Sequence, residues 1–150
     1  AAEHDRERLP EIDEAECREF VRKHGLGNRV DFAGRIAHSA LPVIVAASAV
    51  GVNLAPTGAV DKAALESMAC GVPTLVCNET FESFLSREDR RRLMFRAGDA
   101  AGLAGGLRDL LALPRAERTT MSRRLREMVI AEHSVEHMTR ELMRIFGRVR

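Results

Sequence analysis

The stretch "NLAPTGAVDKAALESMACGVPTLVC", residues 53–77, decides the fold. An apolar run is halted by Pro56-Thr57-Gly58, a run of small and helix-forming residues follows, Gly71-Val72-Pro73 ends it, and a second apolar run opens at Thr74. Strand, loop, helix, stop and strand in so short a span is the pattern of a crossover unit, which joins parallel strands. Lys62 stands in the first turn of that helix, where the backbone dipole is already positive. A cation there is disfavoured by about 0.3–1 kcal/mol unless something negative sits nearby. Lys62 therefore predicts an anion at the helix start.

Working outward, Ile12 to His24 carries Ala15, Phe20 and Val21 among charged residues and is followed by Gly25, which predicts an amphipathic helix with a glycine stop. "NRVDFAG" (28–34) alternates about Val30 and Phe32 and reads as a short strand closed by Gly34. "SALPVIVAASAV" (39–50) reads as a helix with Ser39 as N-cap and Pro42 in its first turn, and "GVNLAP" (51–56) as the next strand.

After the strand "PTLVC", "NETFESFLSREDRRR" (78–92) reads as a short helix and a charged loop, and "LMFRAGD" (93–99) as a brief strand. Asp99 is expected to cap a helix through Leu113 with Leu103, Leu107, Leu110 and Leu111 on one face, broken by Pro114. A further helix carries Met121, Leu125, Met128 and Val129. Ser134 restarts a last one with Met138, Leu142, Ile145 and Phe146. These stripes are read as core-facing surfaces.

Strands alternating with helices imply a parallel sheet covered on both faces, a three-layer Rossmann-like α/β sandwich formed by one domain over residues 1–150. Such sheets bind ligands beyond the carboxyl ends of their strands, and Pro56 to Lys62 is a loop of that kind. A helix that starts there leaves its first amides unpaired, and Gly58 lets the backbone approach a ligand closely. That is an anion site, to which Lys62 adds charge and Thr57 a hydroxyl donor. Glu66 lies one turn on, on the same helical face. A simple Lys62–Glu66 surface salt bridge is the bland alternative.

Composition bounds the rest. Apolar residues make up 45% and charged residues 30% of 150, a soluble globular balance, and the net charge of +1 argues against wholesale nucleic-acid binding. No apolar run is long enough to span a bilayer, and the N-terminus does not read as a signal peptide, so a cytoplasmic chain is expected. Cys17, Cys70 and Cys77 are odd in number and scattered, which fits reduced thiols, with Cys70 and Cys77 as small buried hydrophobes.

Three further signals are weaker. "HSVEH" (133–137) matches a zinc-peptidase spacing through His133, Glu136 and His137, but Ser134 reads as a helix start and no third ligand is evident, so no metal is expected. "GLGN" (25–28) has the wrong order for a dinucleotide fingerprint. Arg87, Arg90, Arg91 and Arg92 are read as a solvated loop, with phosphate or anionic-membrane contact as the alternative, and Glu79 and Glu82 as surface helix residues.

"LESMACGVPTLV" (65–76) resembles the signature of the family 4 retaining glycosyltransferases of GT-B fold, specifically their C-terminal lobe. "LGNRVDFAGRI", "LPVIVAASAVGVNLAP" and "LMFRAGDAAGLAGGLRDLLALP" resemble flanking segments of that lobe in order, so the likeness covers about residues 25 to 146. It implies a domain that binds a nucleotide-diphosphate sugar and a parent enzyme that transfers the sugar with retention, without a metal or other cofactor.

Residue by residue, the resemblance assigns Glu66 to the ribose hydroxyls and the amides of Val60, Asp61 and Lys62 to the diphosphate. Lys62 and Glu66 are thus the expected catalytic pair. Thr57, Gly58 and Ala59 complete the loop, and backbone near Gly34, Arg35 and Ile36 reads the base. Gly58 falls where the family carries its first glutamate, and Asp61 where glycine is common. A strand and basic loop that open the lobe in the family have no counterpart before Glu11. The chain thus resembles an incomplete lobe without the acceptor-binding lobe, expected to be inactive alone and to need that lobe or a partner chain. A peripheral contact with the inner face of the membrane through the parent enzyme is a further expectation. The competing readings are a non-catalytic donor-binding or assembly module, and a GT-B nucleotide-sugar epimerase.

Overall fold

The computed structural model describes residues 13–56 and 60–147. The chain forms two compact units, Ala1–Ile36 and Ala37–Arg150.

In the first unit, α1 (Glu14–Lys23) starts at Asp13, whose carboxylate accepts the Ala15 amide at 3.2 Å. It ends as expected at Gly25, where φ of +65° suits glycine. Arg18 pairs with Glu14 one turn back and lies 4.3 Å over the Phe32 ring. The expected strand over 28–34 does not form. A strand exists by pairing, and the only ladder among the described residues joins two other segments.

The second unit is built on the predicted crossover. β1 (Gly51–Asn53) runs parallel to β2 (Thr74–Val76), with Val52 opposite Leu75, and α3 (Lys62–Ala69) connects them. All three residues of β2 are buried, as a central parallel strand requires. The strand expected at 93–99 shrinks to a single parallel bridge from Val76 to Met94, held by the Phe95 amide on the Val76 carbonyl at 3.1 Å. Gly51 is needed where it stands: a Cβ there would meet Thr74 Oγ1 at 2.7 Å.

Helices cover this small sheet. A 3₁₀ turn, His38–Ala40, leads into α2 (Leu41–Ala46), so Ser39 lies inside the turn and is not the cap; Pro42 does fall in the first turn of α2. The segment 87–92, expected as a loop, is instead α4 (Arg87–Leu93). Ser86 caps it by accepting the Asp89 amide at 3.1 Å and donating its hydroxyl to Asp89 Oδ2 at 2.6 Å. Asp89 is buried because Arg124, 35 residues later, donates from Nε to the same carboxylate at 2.9 Å. Arg92 pairs with Glu88 and Glu117, so it is bound into the protein surface and not left to solvent.

α5 (Ala100–Ala112) starts at the predicted cap, with Asp99 accepting the Gly102 amide at 2.8 Å. Leu110 is buried and Leu103 and Leu107 half-buried, whereas Leu111 is exposed. α6 (Arg115–His133) follows Pro114, packs against α3 and buries Met121, Leu125 and Val129 in a core that also holds Met68, Leu75, Phe81 and Leu93. α7 (Val135–Phe146) starts at Ser134, which accepts the His137 amide at 3.2 Å. Its stripe is not core-facing. Val135, Met138, Leu142, Met143, Ile145 and Phe146 are 44–69% exposed. Periodicity says which face of a helix is apolar, not whether a neighbour covers it.

Candidate functional site

The site grows from the start of α3. The helix begins at Lys62, so Val60 precedes it and Asp61 is its N-cap, accepting the Ala63 amide at 2.8 Å. Asp61 thus answers part of the question Lys62 raises: the cap places a carboxylate at the positive end of the helix. It also uses one of the first-turn amides that a bound anion would share.

Lys62 and Glu66 are both exposed one turn apart, and they are not among the ion pairs of the described residues. Their charged groups are left for other partners. Ala64 and Met68 are buried and root the helix, with Leu65 and Ala69 half-buried beside them. At the far end the Cys70 amide bonds to Glu66 and Gly71 takes φ of +80°, the left-handed stop expected from "CGVP". Arg126 of α6 donates to the Ala69 carbonyl, a cation at the negative end of the dipole.

Glu66 lines a groove of about 370 Å³ between the two helices α2 and α3. Leu41, Pro42 and Val45 form one wall and Ala63, Ala69 and Cys70 the other, while His38 and Ser67 supply the remaining polar tips. This groove escapes a reading by motif, because its walls come from two separate segments of the chain and no spacing rule links them. The one signal was the apolar run 41–45 beside a helix that carries a glutamate.

The other expected positions divide. Gly34, with φ of +61° and open space where a Cβ would project, Arg35 and Ile36 lie in the first unit. Thr57, Gly58 and Ala59 lie outside the described residues. Val60, Asp61, Lys62 and Glu66 come together at the start and middle of α3.

Among the thiols, Cys17 is exposed, Cys70 half-buried and Cys77 buried. Burial pushes the Cys77 thiol above its ordinary range. His133 closes α6 and sets its ring edge-on to Phe84 at 4.8 Å, whereas His137 is in α7, so the "HSVEH" pattern is split by a helix junction. No cluster that could hold a metal ion occurs among the described residues.

A family model described as glycosyl transferase-like matches residues 4–144. Among solved structures, sucrose-phosphate synthase from Thermosynechococcus elongatus is similar, at 26% identity and a TM-score of 0.77 over 90% of this chain and 34% of that one. The chain thus spans about a third of the length of the structure it matches. The mixed α/β arrangement with its parallel sheet agrees with the GT-B class expected from the sequence. No curated protein matches the chain.

Proposed function

The chain belongs to the glycosyl transferase-like family, and on that premise we propose that it is the donor-binding part of a family 4 retaining glycosyltransferase, with α3 as its nucleotide-sugar helix. The observation that carries the reading is the placement of Lys62 and Glu66. Both follow a parallel strand, stand on successive turns of one helix, are free of each other, and the second lines a groove. This is where an open parallel sheet offers a ligand its crevice.

In this reading the diphosphate lies at the start of α3. As the bond to the sugar lengthens, negative charge gathers on the leaving phosphate. A fixed ammonium and first-turn amides then stabilise the transition state more than the ground state. Lys62 supplies the charge. Glu66 accepts hydrogen bonds from the ribose hydroxyls and sets the position of the nucleotide; it does not react. Asp61 opposes phosphate electrostatically, and Lys62 offsets it. Transfer to an acceptor also draws on an acceptor lobe or a partner chain, beyond the residues of this site.

Titration calorimetry of the chain with UDP, GDP and ADP tests the reading. Heat of binding for at least one, lost in Lys62→Met, is the expected result. No heat for any of the three refutes it.

A further inference from the structure

We propose that one face of α6 is a further anion site, built from residues other than those at the start of α3, and that it takes a phosphate monoester on Arg115, Arg118 and Ser122. With Thr119, these residues recur at the three- and four-residue spacing that puts side chains on one helical face, and together they line an open groove of about 490 Å³. That is room for a phosphate and the small group that carries it.

Arg118 carries the argument. Its Nη2 donates to the Leu111 and Leu113 carbonyls at 3.0 and 3.3 Å, which ties the guanidinium to the turn between α5 and α6. Its Nε is shielded from solvent and has no hydrogen-bond partner, and no other buried side-chain nitrogen or oxygen among the described residues is left in that state. A buried N–H without an acceptor is destabilising, so a ligand that brings one is favoured at this point. The surrounding charges agree. Arg115 is exposed, and neither arginine enters an ion pair among the described residues. Glu117, the acid between them in sequence, is held by Arg92 at 3.3 Å. Thr119 commits its hydroxyl proton to the Arg115 carbonyl at 2.9 Å, which leaves Ser122, half-buried, as the hydroxyl able to donate. Two guanidinium groups and a hydroxyl donate to an oxyanion and repel a cation. Their planar forks match pairs of phosphate oxygens, and a doubly charged monoester gains more from two cations than a carboxylate does. Such a group is carried by a soluble sugar phosphate and by the headgroup of phosphatidic acid.

The full chain is titrated with inorganic phosphate and followed by proton–nitrogen NMR, which reads the Arg118 Nε–H directly. Phosphate should move that resonance along a saturating curve with a Kd on the order of 1 mM, the range of a few charge-assisted contacts at an open site. Arg115→Gln should weaken binding about tenfold and Ser122→Ala about threefold, while Lys62→Met, at the other helix, leaves the curve unchanged. Glucose 6-phosphate binding more tightly than phosphate assigns a soluble ester. Sedimentation with phosphatidylcholine vesicles only when they contain phosphatidic acid, lost in Arg115→Gln, assigns the headgroup. No saturable movement of the Arg118 Nε–H, or curves in Arg115→Gln and Ser122→Ala identical to the wild type, overturns the site. A curve abolished by Lys62→Met puts the phosphate at α3 and overturns it as well; the donor-binding reading stands or falls separately, on the nucleotide titrations.

Discussion

Asp61→Ser separates the two jobs of the helix cap. The wild-type carboxylate accepts the Ala63 amide at 2.8 Å and brings a negative charge to the place assigned to diphosphate. Serine caps about as well, so the substitution keeps the hydrogen bond and deletes the charge. With phosphate about 6 Å from the carboxylate, each pair of unit charges repels by about 0.7 kcal/mol in water. For the roughly two charges of a diphosphate that is about 1.4 kcal/mol, which salt at about 0.15 M reduces by roughly half. Asp61→Ser should therefore bind a nucleoside diphosphate about three- to fivefold tighter at physiological salt, and about tenfold tighter at low salt. Folding stability should fall only by the lost charge–dipole contact, about 0.3–1 kcal/mol. Asp61→Ala, which removes the cap as well, should lose about 1 kcal/mol more in urea denaturation. Calorimetry at two salt concentrations reads the binding. An affinity unchanged or weakened by Asp61→Ser at low salt would refute the placement of phosphate at this helix end.

Glu66→Ala should weaken nucleoside diphosphates about 10- to 100-fold, the value of charge-assisted hydrogen bonds to two hydroxyls, while sparing pyrophosphate; parallel titrations of the two ligands check it. Arg124→Met should cost about 2–3 kcal/mol in urea denaturation, below the ~3–5 expected for a fully buried pair. The reduction arises because Arg124 is 36% exposed and the Ser86 hydroxyl still serves the Asp89 carboxylate. Gly51→Ala should cost about 1–3 kcal/mol by the same measurement, because the new methyl meets the buried Thr74 side chain across the strand pair. The buried Cys77 thiol favours its neutral form in the folded state. Its contribution to stability should be full below the ordinary thiol pKa of 9.0 and decline as pH rises toward the elevated folded value, a slope that Cys77→Ala abolishes in alkaline denaturation profiles.

What the sequence determined by itself is local. The start of α5 at Asp99 and of α7 at Ser134, the stops at Gly25 and Gly71, and the β1–α3–β2 crossover are written in capping side chains, left-handed glycines and apolar runs. These signals act within a turn or two of chain, so they survive without knowledge of neighbours. Lys62 and Glu66 were legible for the same reason, since helical spacing alone sets them one turn apart.

Only the tertiary structure decided what is covered and what is paired. The 28–34 segment has strand composition but no ladder to join, α4 forms where a charged loop was expected because Ser86 caps it and Arg124 reaches Asp89 from a distant helix, and the apolar stripe of α7 stays open. The groove beside Glu66 likewise exists only because α2 and α3 pack with a gap between them. Burial and pairing are properties of two segments at once. A pattern confined to one segment fixes what that segment can offer, and the partner determines whether the offer is taken up.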